Sequence, residues 1–198
     1  TYEYLEDNFE VLAPKGIFPN GKRDVGQATA DTWYKYGRTQ ALTAFNNRRK
    51  LIVGILSKEP MYGLDENNFL IASGDTAGYC AVCEKEDSPY KLEYLQAWLT
   101  NGYTERILQI IGSDFEHGFY ARGASVLRTL PFVELDFTEP TQKAIYERVV
   151  AATREVYAVN VKLEARPSKA AANVLQRKKS ELISEIEELI ARVYRLEF

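Results

Sequence analysis

The 198-residue chain has 45% hydrophobic and 27% charged residues and a formal net charge of −3, which fits one sizeable globular domain, with or without an appendage. No apolar run approaches the roughly 18 residues of a membrane-spanning helix, and the acidic, mixed start does not resemble a signal peptide. Two cysteines give no disulfide framework, so we expect a cytoplasmic protein. Because the chain begins with Thr1 rather than Met, we expect it to be part of a longer protein.

The charges are distributed unevenly along the chain. Residues 22–58 contain eight basic and two acidic residues, whereas residues 59–120 contain three basic and eleven acidic residues. A local surplus of positive charge says more about binding to a polyanion than the net charge does. Residues 22–58 are therefore the segment in which we expect a nucleic-acid contact.

The first half of the chain is predicted to contain one short helix, a turn-rich loop and three strands. Leu5, Phe9 and Leu12 recur with the spacing of one helix face, and the branched apolar run at 51–56 is typical of a buried strand. The predicted elements are a helix at 2–13, a loop at 16–27, and strands at 51–56, 67–73 and 79–83, the last two joined by a hairpin connection at 74–78.

The second half is predicted to be mainly helical. Helices are expected at 89–101 and 103–112, and the alternating apolar pattern of 130–137 predicts a strand. From residue 139 no glycine occurs, and one apolar seam precedes a break at Pro167. A second seam then recurs every seven residues, which is typical of coiled-coil packing; it comprises Leu175, Leu182, Leu189 and Leu196.

The two seams have two interpretations. An antiparallel helical hairpin would bury them against each other, and a parallel dimer would use the leucine seam for self-association. The short break favours the hairpin. We therefore expect an α+β fold, with a small mixed β-sheet domain and flanking helices at 1–138, followed by a coiled-coil-like helical hairpin at 139–198 that serves as a spacer or docking element.

Catalytic chemistry has little support in the sequence. Cys80 and Cys83 have CxxC spacing, but a zinc site needs about four ligands and His117 is the only histidine. The pair also falls in a strand pattern, whose alternation sends the two side chains to opposite faces. No nucleophile elbow or phosphate-binding loop accompanies His117. We expect neither catalytic residues nor a metal in this chain.

The stretch 31–42, "DTWYKYGRTQAL", mixes aromatic and basic residues in a way typical of neither a core strand nor an amphipathic helix. Arginine can pair with guanine, glutamine with adenine, and basic side chains with phosphates. A plain surface with Trp33 as a core anchor fits the composition equally well. The candidate nucleic-acid contacts are Lys35, Tyr36, Arg38 and Gln40, backed by Arg48, Arg49 and Lys50.

The same stretch carries a family resemblance. "WYKYGRTQAL" resembles the W-x-x-Y-G-R-x-Q signature of the target-recognition domain at the C-terminus of adenine-N6 DNA methyltransferases, including the Taq-like enzymes and the type IIG restriction–modification enzymes. Further similarities follow in the family's order: the lead-in helix "YEYLEDNFEVLAPKG", the helix "YLQAWLTN", the aromatic–basic "GFYARGASVLRTLPF" and the closing "EIEELIARVYRLEF". The resemblance covers nearly the whole chain.

The resemblance implies recognition of double-stranded DNA without catalysis by this chain. The family's glycine-rich cofactor motif and its (N/D)PP(Y/F) motif do not occur here. S-adenosylmethionine is therefore expected in a separate methyltransferase domain of the parent protein, which would be a partner of this chain. The resemblance adds further candidate DNA contacts: Lys22, Arg23, His117, Arg122 and Arg128. It assigns Trp33 and Gly37 a structural role.

Two other functions compete with this interpretation. The chain could be a protein-interaction module that docks or dimerises through the leucine seam, with an incidental basic patch. It could also be a small enzyme that uses His117 or the cysteine pair. Salt-sensitive DNA binding would distinguish a DNA-recognition module from a protein-interaction module. Stoichiometric metal that depends on both cysteines would indicate a small enzyme.

Overall fold

The computed structural model describes residues 2–25, 28–35, 45–71 and 78–194. The chain divides into two compact units, Thr1–Ala44 and Phe45–Phe198. The expected α+β class is confirmed, with two small antiparallel sheets, flanking helices and a C-terminal helical pair. The assignment of different roles to residues 1–138 and 139–198 stays a prediction.

The first unit is built around an aromatic cluster. Two short helices, α1 (Tyr2–Asp7) and α2 (Phe9–Leu12), fill the predicted helical segment. The Phe9 ring lies 4.8 Å from the ring of buried Trp33 and 4.9 Å from that of Phe18, in edge-to-face geometry. Such packing favours aromatic pairs beyond the area they bury. The cluster therefore gives this short, turn-rich unit its own small core.

The second unit contains two three-stranded sheets. The first has the order β3–β1–β4 and the second the order β2–β6–β5. The strands are β1 (Lys50–Gly54), β2 (Leu56–Ser57), β3 (Tyr62–Asp65), β4 (Tyr79–Cys83), β5 (Asp114–Phe115) and β6 (Phe119–Ala121). The predicted strand at 51–56 is therefore split at the buried residue Ile55, where the chain leaves one sheet and enters the other.

The strand predicted at 79–83 is confirmed as β4, whereas the strand predicted at 67–73 is wrong over its described residues. Residues 67–71 form no strand, because the Asp65 carboxylate accepts the backbone N–H groups of Asn67 and Phe69, both at 2.9 Å, and holds a loop there. The strand in this region is instead β3, and β4 pairs with β1 rather than with residues 67–71. Residues 72–77, which include most of the predicted hairpin connection, lie outside the described residues.

The segment 130–137 is extended but pairs with no strand among the described residues. Leu130 and Leu135 are buried, and Phe132 packs edge-to-face on Tyr90 and Trp98. The backbone N–H of Leu135 donates to the Tyr90 hydroxyl at 2.6 Å. The alternating pattern therefore reflects an extended chain laid against helices, and the strand prediction is wrong.

The helical predictions are confirmed. Helix α3 (Leu92–Thr100) and helix α4 (Gly102–Ile111) occupy the predicted segments, and the Asn101 side chain caps α4 by accepting the N–H of Tyr103 at 2.9 Å. A short helix α5 (Ala124–Leu127) follows β6. Asparagine at this position satisfies one of the free N–H groups of the first turn.

The predicted helical hairpin is also confirmed. Helices α6 (Pro140–Glu164) and α7 (Lys169–Val193) run antiparallel, as the pairs Arg148–Glu185 and Lys178–Glu155 indicate. The leucine seam faces inward, with Leu182 buried and Leu175 and Leu189 half-buried, while Leu196 lies outside the described residues. Apolar side chains of both helices, including Val149, Ile186 and Ile190, belong to the core of the second unit. The same core contains Leu51 of β1 and Leu92 of α3.

A buried carboxylate connects three elements of this unit. Glu93 on α3 is 1% exposed. Its carboxylate accepts two hydrogen bonds from Arg49, which precedes β1, at 2.9 and 3.1 Å, and one from Arg154 on α6 at 2.8 Å. Burial acts to raise the pKa of Glu93, but the hydrogen bonds from the two arginines outweigh burial and lower it from 4.5 to about 2.

The pKa of Glu93 makes folding depend on pH with a definite sign. The unfolded carboxyl has the higher pKa, so its contribution to stability is complete above about 4.5 and is lost as the pH falls towards 2. We expect Glu93→Gln to lower the free energy of unfolding by about 2–3 kcal/mol at pH 7. The difference from the unaltered chain should shrink between pH 4.5 and 2. Urea unfolding over this pH range measures the difference in the free energy of unfolding, with Glu188→Gln at an exposed position as control. A difference that stays constant with pH would contradict the prediction.

Candidate nucleic-acid interface

In the first unit, two of the predicted basic contacts are exposed and one has a structural role. Lys22 and Lys35 are exposed. The Arg23 guanidinium instead donates to the carbonyl oxygens of Leu12, Trp33 and Lys35, at 2.8, 2.7 and 2.9 Å. Arg23 therefore holds the backbone of the segment that contains Trp33 and Lys35. The remaining contacts predicted for this unit, Tyr36, Arg38 and Gln40, lie outside the described residues, as does Gly37.

The three successive basic residues 48–50 do not form a uniform basic patch. Lys50 is fully buried, with its ammonium 2.6 Å from the Asp65 carboxylate. Arg49 pairs with Glu66 and Glu93. Only Arg48 is exposed, and one of its guanidinium N–H groups donates to the Glu84 carbonyl oxygen at 2.9 Å. The sequence therefore overstates the positive charge that this segment presents to a ligand.

Arg122 lies in the interior of the second unit. Its guanidinium is fully buried, pairs with both carboxylate oxygens of Glu105, and donates to the Ser57 hydroxyl at 2.9 Å and to the Lys58 carbonyl oxygen at 3.2 Å. A side chain with no exposed area cannot meet a DNA surface without rearrangement. The sequence-based assignment of Arg122 as a DNA contact is therefore corrected to a structural role, in which it joins α4 to the turn after β2.

The other two candidates near Arg122 are exposed. His117 lies at the tip of the β5–β6 hairpin with a φ of 67°, followed by Gly118 at 77°, and both the histidine and Arg128 are exposed. Two aromatic residues flank this tip: Phe115 is exposed, and Phe119 has the Lys58 ammonium 5.2 Å from its ring centroid. Neither Phe115 nor Lys58 was predicted as a contact, although the aromatic–basic composition of the region was a signal for them.

The geometry of the cysteine pair favours neither redox nor metal chemistry. Cys80 is buried and Cys83 half-buried, and burial raises the pKa of both thiols, so the reactive thiolate is disfavoured. Within residues 2–25, 28–35, 45–71 and 78–194, no three His, Cys, Asp or Glu side chains are grouped so that they could hold a metal ion. In that same part of the chain, no helix combines the length and apolarity needed to cross a membrane.

The buried and exposed arginines of this region predict opposite responses to truncation. We expect Arg122→Ala to lower the free energy of unfolding by about 3 kcal/mol or more, because it leaves the Glu105 carboxylate without its buried partner. Arg128→Ala removes an exposed charge and should change stability by less than about 0.5 kcal/mol. Guanidinium unfolding of the two variants compares them directly. Equal effects would contradict the structural role of Arg122.

Comparison with known proteins relates the chain to one class of enzyme. No protein-family model matches it. Over 146 residues, or 74% of this chain, it is 36% identical to the type II restriction enzyme and methyltransferase RM.Eco57I of Escherichia coli. The matched region is 14% of that protein's length, so the chain spans only a small part of the relative. This chain is thus related to a region of a restriction–modification enzyme.

Proposed function

We propose that this chain is a sequence-specific DNA-recognition module of a restriction–modification methyltransferase, and that it lacks the catalytic half. The observation that carries the proposal is the 36% identity, over most of this chain, to a small region of a restriction enzyme and methyltransferase. The order of target-recognition motifs in the sequence supports it. So does the absence from the sequence of the cofactor and (N/D)PP(Y/F) motifs of the catalytic half.

On this proposal, the module is not an enzyme by itself. Methyl transfer would be performed by a separate methyltransferase domain that binds S-adenosylmethionine, and the DNA would be held between that domain and this module. The exposed basic residues would supply the phosphate contacts, which give most of the affinity and make it salt-dependent. Base contacts would then supply the sequence preference.

The proposed DNA contacts are the candidates that remain accessible, together with those outside the described residues. Arg23, Arg49 and Arg122 are excluded from this set, because each is buried or half-buried and its guanidinium makes several bonds within the chain. They would act by holding the exposed residues in place. Arg48 is kept, because it is exposed and donates only to the Glu84 carbonyl oxygen among the described residues. The remaining set is Lys22, Lys35, Tyr36, Arg38, Gln40, Arg48, His117 and Arg128.

The helical hairpin would serve as a spacer or docking element towards the rest of the parent protein. From residue 170 to the end it has five basic and five acidic residues, so this second half of the hairpin offers no positive surplus to a polyanion. Several of these charges are also paired across or along the helices, as in Arg177–Glu181 and Lys178–Glu155. Because Leu182 is buried within the chain, dimerisation through the leucine seam has less support than docking by the outer faces.

The proposal predicts salt-sensitive binding to DNA. We expect a mixed-sequence duplex to bind at 50 mM salt and to bind at least tenfold more weakly at 200 mM, because ions are released from the phosphates. The double variant Lys35→Ala, Arg38→Ala should bind several-fold more weakly at the lower salt. Fluorescence anisotropy with a labelled duplex measures both effects.

The matched control removes the same charge from the hairpin. Lys143 and Lys162 are exposed on α6 and have no ion pair among the described residues, so Lys143→Ala, Lys162→Ala should leave DNA binding nearly unchanged. If the two double variants weaken binding equally, the proposed location of the DNA face is wrong. If the unaltered chain does not bind at 50 mM salt, recognition of DNA by this chain is contradicted.

A further inference from the structure

Three asparagine side chains of the second unit form an exposed hydrogen-bonded cluster. Asn68 Nδ2 donates to Asn46 Oδ1 at 3.0 Å and to Asn47 Oδ1 at 2.9 Å. The Asn47 backbone N–H donates to Asn68 Oδ1 at 2.6 Å and to Asn46 Oδ1 at 3.0 Å. The cluster, which consists of Asn46, Asn47 and Asn68, therefore joins the segment before β1 to the loop after β3.

The backbone of this cluster is held in an uncommon conformation. Asn47 and Asn68 have φ values of 53° and 56°, in the left-handed region that asparagine tolerates better than most residues. The loop that carries Asn68 is fixed by the Asp65 carboxylate, which itself pairs with the buried Lys50. The amides are consequently positioned by rigid surroundings before any ligand binds.

The hydrogen-bond inventory leaves one asparagine able to both donate and accept. Asn68 uses both Nδ2 hydrogens within the cluster, and Asn46 Oδ1 already accepts two bonds. Asn47 Oδ1 accepts one bond and keeps a lone pair, because an amide oxygen has two. The Nδ2 group of Asn47 donates to nothing within the described residues. Asn47 therefore presents a free donor beside a free acceptor.

That donor–acceptor pair opens onto a cleft that also contains an exposed arginine. Asn47, Arg48 and Asn68 line a cleft of about 380 Å³ together with Arg49, Asp65 and Glu66. The carboxylates of Asp65 and Glu66 are paired with Lys50 and Arg49, whereas Arg48 is exposed and has no carboxylate partner in the described part of the chain. The cleft thus offers one amide edge and one uncompensated positive charge.

We propose that Asn47 reads an adenine edge in the major groove of DNA, with Arg48 contacting the duplex beside it and Asn68 acting as a positioning residue. An asparagine amide matches adenine, since Nδ2 donates to N7 while Oδ1 accepts from the N6 amino group. This inference rests on the proposed function, which it deepens by naming a base-reading residue. The inference rests on the free donor and acceptor of the Asn47 amide and on the hydrogen bonds that position Asn47 before DNA binds.

The test is enrichment of bound sequences from a random duplex library, with the full 198-residue chain as the bait. The unaltered chain should enrich adenine at one position. Asn47→Gly, which keeps the left-handed backbone but removes the amide, should lower the preference for adenine there by about tenfold to a hundredfold. Its affinity for a mixed-sequence duplex should stay within about twofold. The exposed Asn173→Ala on α7 is the matched control and should behave as the unaltered chain.

A second pair of variants separates base reading from a merely structural role. Asn47→Asp replaces the donor with an acceptor and should shift the preference from adenine towards cytosine, whose N4 group donates. Asn68→Gly should lose the same adenine preference while the chain stays folded. Unchanged enrichment in Asn47→Gly and Asn47→Asp would overturn the inference while leaving the proposed function intact. Binding by the unaltered chain without any sequence preference would contradict both the inference and sequence-specific recognition. If the unaltered chain does not bind DNA at all, both proposals fail.

Discussion

The second unit of this chain depends on one buried carboxylate. Glu93 receives hydrogen bonds from Arg49, which directly precedes β1, and from Arg154 in the middle of α6, so sheet, helix and hairpin meet at a single charged group. A carboxylate that is 1% exposed would be strongly destabilising if either arginine were absent. The three-way contact therefore fixes where α6 lies, and with it the whole hairpin.

The same arrangement limits how the chain can bind a polyanion. Arg49, Lys50 and Arg122 are all committed to carboxylates in or near the core, so Arg48, His117 and Arg128 are the candidate contacts of this unit that are exposed. The hairpin also cannot be removed as an independent appendage, because Val149 and Ile186 complete the core around Leu51. The role of the hairpin is better tested through substitutions on its outer face than through truncation.

The sequence predicted the helices well and the strands poorly, for a physical reason. Helices α3, α4, α6 and α7 carry their apolar residues at helical spacing, and the break at Pro167 is local. Alternation at 130–137 indicated an extended chain correctly, but it carries no information about whether a strand or a helix lies alongside. The strand β3 was missed because "YGLD" is short and contains Gly63, which weakens the pattern.

The candidate site was predictable as a region but not residue by residue. A stretch of basic residues indicates a polyanion partner, but it does not show which side chains turn inward. Arg49 meets Glu93 across 44 residues of sequence, and Arg122 meets Glu105 across 17, so neither pair was visible from local spacing. The asparagine cluster was also missed, since Asn68 lies 22 and 21 residues from Asn46 and Asn47 and only the fold brings it to them.

On the proposed function, DNA contacts the exposed arginines, while the interior arginines hold the fold. The most direct measurement is an NMR titration of the arginine Nε–Hε resonances with a mixed-sequence duplex at low salt. We expect the signals of Arg48 and Arg128 to move, whereas those of Arg23, Arg49 and Arg122 stay in place. Movement of the interior signals as large as that of the exposed ones, or no movement of any arginine signal, would contradict it.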